Sequence, residues 1–370
     1  MPEIKTEGVA TTSCLVKKPD LITKNVEIFR QAGLLDQLET SALLKFSAAS
    51  VANLQASADT LKERLLTAVV NGDEDSAREI ASCYPNLLRS SSTFVKDLTG
   101  KITYSPTVAK DPSGKIIKEL TPLQAAICAG DVEMAEMLKE FMPADEVLSQ
   151  FEKIYPDGID AVETEQKRQA HEFKTTKLRA IFNAINAPDA DVAFELETPG
   201  QRIDSALNNA LHSFREDFAY TSNNEQIFNP YYLLSAFEFY GENFDNFADW
   251  NRRDLFWWQI IGYMQRHLPA CYLQAFARSI YDIVEHGAKL ERTFEFHYWR
   301  GHYMRPDRGD LNNLGYNWAW QFGASRRAGV PGLPFSEFIA NKKIRFGELT
   351  QPETQWLQLQ HYLPTRCAIM

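Results

Sequence analysis

The sequence predicts a mainly α-helical protein: a short array of helical hairpins with an inserted β-hairpin, followed by a helical, aromatic-rich C-terminal domain. Three observations carry this prediction. First, two segments join an apolar helical stretch to a glycine turn: Leu65-Leu66-Thr67-Ala68-Val69 before Asn71-Gly72-Asp73, and Leu123-Gln124-Ala125-Ala126 before Gly130-Asp131. Second, the stretch between them carries two turn signals, Asp97-Leu98-Thr99-Gly100 and Asp111-Pro112-Ser113-Gly114. Third, all seven tryptophans fall after residue 249, a shift in composition that marks a separate domain.

Bulk properties narrow the function. The chain has 370 residues, 44% of them hydrophobic and 24% charged, which suits two or three globular domains with ample buried core. Its formal charge of −10 argues against general attraction to nucleic acid or anionic lipid, so no nucleic-acid partner is expected. The five cysteines, Cys14, Cys83, Cys128, Cys271 and Cys367, are odd in number and far apart. They form no CxxC pair and no metal-ligand spacing, so a reducing compartment is expected, with neither metal nor cofactor. The polar segment Met1–Asp20 lacks the apolar core of a secretory signal. The densest apolar run, Phe256–Met264, is too short to span a bilayer. Phosphate-loop and GxSxG patterns are absent.

Taken in order, residues 1–58 form a helical cap, in which Val26, Ile28, Phe29, Leu34, Leu35, Leu38, Leu43 and Leu44 recur along one or two amphipathic helices. Residues 59–158 hold the hairpin array. Thr121 is placed to cap a helix, with Pro122 at its first position, where a missing N–H costs nothing. Ala125 and Ala126 permit close helix approach, and Met134, Met137, Leu138 and Phe141 give the second helix an apolar stripe. The earlier hairpin has Ala77, Ile80 and Ala81 in the corresponding places. Residues 90–120 read as an enlarged β-hairpin or finger, with extended segments Lys101–Tyr104 and Lys115–Lys118. Thr121-Pro122-Leu123-Gln124-Ala125-Ala126, followed by Gly130-Asp131, resembles the ankyrin repeat, whose signature opens Thr-Pro-Leu-His-x-Ala. Gln124 stands where the signature has His. Gly72 and Gly130 are 58 residues apart, longer than the usual ankyrin period because of the insert. The resemblance implies a protein-binding surface of hairpin tips and inner helices.

Residues 159–366 form the second domain. A long Glu/Lys/Gln-rich stretch, Ile159–Ile185, leads into it. Asp204-Ser205 caps a helix bearing Leu207, Leu211, Phe214 and Phe218. Asp254–Leu268 is apolar nearly all round and predicts a buried central helix ending before Pro269. Tyr272–His286 predicts one further helix stopped by Gly287, and Phe294, Phe296 and Tyr298 alternate as in an extended segment.

Three places carry candidate chemistry. The turn-rich run Tyr298–Asp310 gathers Arg300, His302, Arg305, Asp307 and Arg308 among aromatic residues, a pattern that binds an anion or planar ligand through guanidinium forks, or pairs internally to hold its own loop. Cys271 follows Pro269-Ala270 at a helix start, where the helix dipole lowers a thiol pKa; it is the candidate nucleophile of an alternative reading, a Cys–His enzyme that modifies a host protein. Residues 367–370, Cys367-Ala368-Ile369-Met370, have the layout a prenyltransferase reads, and a terminal Met favours farnesyl. Joined to the helical array, this ending resembles the ankyrin-bearing, type IV-translocated effectors of intracellular bacterial pathogens. That resemblance implies export without a cleaved signal peptide, a host protein as partner, farnesylation at Cys367 by a host farnesyltransferase, and residence in host cytoplasm or on a host membrane surface. A single farnesyl chain gives only marginal, reversible membrane attachment.

Overall fold

Two Gly-Asp turns with identical hydrogen bonding organise the first half of the chain. The computed structural model describes residues 48–89, 91–96, 102–198, 205–292 and 329–350. Helix α1 (Ala48–Val70) turns at Gly72 into α2 (Glu74–Cys83), and α3 (Pro122–Cys128) turns at Gly130 into α4 (Val132–Lys139). In the first turn the Gly72 N–H donates to Val69 O and the Asp73 N–H to Ala68 O. In the second, Gly130 donates to Ile127 O and Asp131 to Ala126 O. Both glycines have left-handed backbone, with φ of +68° and +70°, which only glycine adopts without strain. Each aspartate then caps the helix that follows: Asp73 Oδ1 accepts from the Ser76 N–H and Asp131 Oδ1 from the Met134 N–H, both at 3.1 Å.

Gln124, the departure from the ankyrin signature, has a structural use. Thr121 Oγ1 accepts from the Gln124 N–H (3.2 Å), while Gln124 Oε1 accepts from the Thr121 N–H (3.1 Å), closing a capping box at the start of α3. Helix α5 (Ala144–Ile154) packs beside α3. From it the buried Gln150 accepts from the Thr121 hydroxyl and donates to Leu88 O in the 3₁₀ turn Pro85–Arg89. Leu65, Leu66, Ala77, Ala81, Leu123, Ala126, Met134, Met137, Leu138, Val147 and Phe151 form one buried cluster. Leu123 and Met137 thus lie on paired helices facing the same core.

The insert comprises two hairpins rather than one. β1 (Ser92–Lys96) pairs antiparallel with β2 (Ile102–Pro106), and β3 (Val108–Lys110) with β4 (Ile116–Lys118). β3 packs along α1, so the second hairpin is fixed to the array.

The remaining described helices wrap an aromatic core. α6 (Ile159–Phe173) continues through a π turn, Lys174–Leu178, into α7 (Arg179–Asn186). Then come α8 (Val192–Glu197), α9 (Ala206–Asn224) and α10 (Tyr231–Glu242). α11 (Trp250–Phe256) runs through a second π turn, Trp257–Ile261, into α12 (Gly262–Arg266). This is the predicted buried central helix, and Phe256, Trp257, Ile260 and Ile261 are almost wholly covered. The helix predicted over Tyr272–His286 is two helices, α13 (Ala270–Arg278) and α14 (Ile280–His286). They break at Ser279, whose φ of +90° no helical residue adopts. Gly287, at φ +63°, ends α14 as expected.

Helix α15 (Gly329–Leu349) carries no prediction from sequence, because Gly329, Pro331, Gly332 and Pro334 read as breakers. Pro331 falls in the first turn, where its missing N–H costs little, whereas Pro334 lies inside the helix and forgoes one backbone hydrogen bond, offset by the full burial of Phe335 beside it. Phe335, Phe338 and Ile339 enter the aromatic core while Phe346 and Leu349 enter the array core, so this one helix joins the two. The helices predicted within Asn25–Phe46 and the extended segment at Phe294–Trp299 lie outside the described residues.

A glycine comparison tests the turn geometry. A Cβ on Gly130 would meet Tyr272 Oη at 2.9 Å, whereas one on Gly287, also left-handed, meets nothing within 4 Å. Gly130→Ala is expected to cost at least about 2 kcal/mol in urea unfolding, and Gly287→Ala only about 1 kcal/mol, the backbone component alone. Equal losses would show that the Gly130–Tyr272 approach is not a constraint.

Candidate interaction surface

The helical hairpins have two ends, and one of them is closed. Both Gly-Asp turns sit against α13. Gln274 Nε2 donates to Gly72 O (3.3 Å), and the Cys271 thiol faces Ala129 O at 3.7 Å. Arg292 locks this contact with both guanidinium forks engaged. It donates to the two oxygens of the buried Asp131 at 2.8 and 2.9 Å and to Glu74 Oε2 at 3.2 Å. A carboxylate that caps a helix and also holds a buried guanidinium leaves no free group for a ligand.

A second ionic contact seats α15 on α4. Glu133 and Glu136 stand one turn apart, as do Lys342 and Arg345 opposite them. Lys342, only 4% exposed, donates to Glu133 Oε2 at 2.7 Å and lies over the Phe338 ring at 4.9 Å. Arg345 donates to Glu133 Oε1 at 2.5 Å and also grips Glu136. Burial alone would raise the Glu133 carboxyl, but Lys342 and then Arg345 outweigh it and hold it down to about 2. Lys343 reaches Asp160 (2.7 Å) and Glu163. Every cation in this basic run therefore has an internal carboxylate partner.

The β3–β4 finger lies along α1, with its tip beside the first Gly-Asp turn, where Lys110 O faces Asn71 Nδ2 at 3.4 Å. Its loop is a type I turn with a glycine bulge: Gly114 N–H donates to Asp111 O (3.0 Å), Asp111 N–H donates to Lys115 O (3.1 Å), and Gly114 has φ +92°. Pro112 suits the second turn position, and Asp111 Oδ1 accepts from Ser113 Oγ (2.7 Å) and the Lys115 N–H (2.9 Å). Ala109 and Ile117 face the array core. On the other face Val108, Lys110, Ile116 and Lys118 point outward, with Ile116 63% and Val108 43% exposed. Lys115 crosses to donate to Glu225 O at the end of α9, tying the tip of the finger to the aromatic domain. Desolvation lowers the Lys115 pKa and raises those of Asp111 and Glu225, since each is partly buried there.

A groove of about 420 Å³ runs between α6, α10 and α15. Its charges are satisfied within the wall: Lys167 pairs with Glu163 (2.7 Å) and Lys174 with Glu238 (3.1 Å) and Glu242 (2.7 Å). The finger face, by contrast, presents two lysines with no ion-pair partner among the described residues.

The structure corrects the reading of Cys271 as a nucleophile. It is fully buried, no described histidine hydrogen-bonds to it, and burial pushes its thiol pKa far above the range in which a thiolate forms. The dipole at the start of α13 does not offset that desolvation. His267, four residues before it, instead has Nδ1 3.0 Å from Tyr263 O and packs on Phe218 and Tyr263. Arg300, His302, Arg305, Asp307 and Arg308 lie outside the described residues, as does Cys367. No cluster of three His, Cys, Asp or Glu side chains suited to a metal occurs among the described residues, and no described helix is long and apolar enough to cross a membrane. Sequence reasoning missed the Arg292–Asp131 and Lys342–Glu133 contacts. The one signal for the latter is the matched one-turn spacing of Glu133/Glu136 and Lys342/Arg345. No family model, curated relative or solved structure matches the chain.

Two measurements test this geometry. Glu133→Gln is expected to lose about 3 kcal/mol at neutral pH, because it leaves Lys342 buried without its counter-charge. A carboxyl with a depressed folded pKa stabilises above its unfolded value and loses that contribution as pH falls through the folded one. The gap between variant and wild type in urea titrations should therefore narrow from about pH 4.5 down to about pH 2. In the native protein, mass-spectrometric mapping after iodoacetamide treatment should find Cys83 alkylated and Cys128 and Cys271 protected. Rapid labelling of Cys271 would reopen the nucleophile reading.

Proposed function

We propose that this chain is an ankyrin-type protein-binding module that engages its partner through the exposed outer face of the β3–β4 finger. One observation carries the reading: two helical hairpins with the same Gly-Asp turn and the same hydrogen bonds, stacked on one core with a β-finger between them. α13 and Arg292 cover both Gly-Asp turns, which leaves the exposed outer face of the finger for a partner. Two stacked units are fewer than the three usually needed to bury a repeat core, and here α5 and α15 supply the missing cover.

Within this reading the partner is a host protein, and the chain is a translocated bacterial effector. Farnesylation by a host farnesyltransferase at Cys367 in Cys367-Ala368-Ile369-Met370 directs it to a host membrane. One lipid chain gives reversible attachment, and stable residence needs a second contact. Lys342, Lys343 and Arg345 are committed to internal carboxylates, so the second contact falls to the bound partner.

The protein-binding reading predicts that replacing residues 90–120 with a short linker abolishes capture of a specific host protein from lysate while far-ultraviolet circular dichroism shows the helices retained. Undiminished capture would refute it. For the lipid, fluorescent fusions of wild type and Cys367→Ser in animal cells are expected to differ, the first enriched on membranes and the second diffuse. Identical diffuse distributions would remove farnesylation from the proposal.

A further inference from the structure

We infer that the outer edge of β4 is a strand-addition site for an extended segment of a partner protein that carries acidic and apolar residues in alternation along one of its faces. This deepens the protein-binding reading and rests on it.

The edge follows from the turn. Asp111 and Lys115 form a hydrogen-bonded pair through Asp111 N–H to Lys115 O. Along an antiparallel ladder, bonded and non-bonded pairs alternate. Given the register Lys110↔Ile116, Ala109↔Ile117 and Val108↔Lys118, the next bonded pair is Ala109 with Ile117. The N–H and C=O groups of Ile116 and Lys118 therefore point away from β3. No described residue hydrogen-bonds to them, and no third strand joins this sheet. The edge of β3 differs, since Lys110 O faces Asn71 Nδ2 of the α1–α2 turn at 3.4 Å and β3 lies along α1. Of the two edges of this sheet, β4 is the one with an open row of backbone groups among the described residues.

The side chains beside that row specify the occupant. Lys110 lies opposite Ile116 and Val108 opposite Lys118, giving a face in which each lysine neighbours a β-branched residue. Exposed β-branched side chains on a sheet edge are ordinarily an aggregation hazard that flanking lysines offset. Here the lysines also set a sign preference in a chain whose formal charge is −10. A strand laid along β4 places its same-face residues next to Ile116 and Lys118, so an apolar side chain followed two residues later by a carboxylate complements both. Glu119, exposed just past β4 at φ +62°, ends the row and disfavours acidic residues beyond it.

The test uses the full-length ¹⁵N-labelled protein with two octapeptide probes, repeats of Val-Thr-Glu-Thr and of Val-Thr-Lys-Thr, in which the charged and apolar residues share one strand face. In the free protein the Ile117 amide should exchange with solvent at least about tenfold more slowly than those of Ile116 and Lys118. The Glu–Val peptide is expected to slow the Ile116 and Lys118 amides about tenfold or more, and the Lys–Val peptide to leave them unchanged. In the double variant Lys110→Glu/Lys118→Glu the preference should reverse, with a protected Ile117 amide showing that the hairpin is intact. Equal protection by both peptides, no protection at millimolar peptide, or protection confined to other amides would each overturn strand addition at β4. The last two results leave the wider protein-binding reading intact, which stands or falls with the 90–120 replacement.

Discussion

The pairing of Glu133 with Lys342, in a site that almost excludes water, is the constraint on which the arrangement of the molecule depends. An ammonium group this buried is tolerated only when a carboxylate meets it at hydrogen-bond distance, and Glu133 does so at 2.7 Å with Arg345 on its other oxygen. The pairing fixes the register of α15 along α4. That register sends Phe335, Phe338 and Ile339 into the aromatic core and Phe346 and Leu349 into the array core. A one-residue rotation of α15 would misplace both the charges and the rings. The array has too few repeats to close its own core, and the helix that closes it is held by charge as well as by apolar contact.

The second lock, Arg292 on Asp131, has a different logic. Asp131 already caps α4, so its carboxylate serves the local turn and the contact between domains together. Gly130 permits Tyr272 to approach the turn, Gln274 reaches the equivalent turn at Gly72, and Arg292 spans both by holding Glu74 as well. Two turns 58 residues apart in sequence are thereby read by one helix, α13, as a repeated surface. The same contact explains why Cys271 is inert: a residue at the centre of a dry seam between two cores has no solvent from which to ionise.

The legible parts of the sequence were those governed by local chemistry. Gly72 and Gly130, Asp111-Pro112-Ser113-Gly114 and the period of Leu207, Leu211, Phe214 and Phe218 each dictate a conformation within a few residues, and each predicted turn or helix is present. What escaped depends on contacts distant in sequence. Ser279 breaks a helix that periodicity alone extends, because nothing in its side chain announces a positive φ. α15 was hidden by Pro331 and Pro334, breakers that the distant packing of Phe335, Phe338 and Ile339 overrides. The candidate nucleophile failed for a similar reason: a helix-start cysteine reads as reactive until Ala129 and Gly72 are found packed on the same helix. Gln124 shows the converse, since a departure from a signature turned out to close the capping box by its own amide.

The charge ledger of the tail connects the two halves of the proposed function. A farnesylated protein commonly gains its second membrane contact from lysines close to the lipid, each contributing about 1 kcal/mol near an anionic leaflet. Freeing Lys342, Lys343 or Arg345 for that role would break contacts to Glu133, Asp160, Glu163 or Glu136, and with them the seating of α15. The fold therefore opposes membrane binding through these cations. By the same reasoning the lysines on the finger, Lys110 and Lys118, are available because no carboxylate among the described residues claims them, and their side chains lie on the outer face of the finger. In the proposed function, recognition through the finger and weak lipid attachment at Cys367 would therefore complement each other, since the paired interior cations supply no second membrane contact.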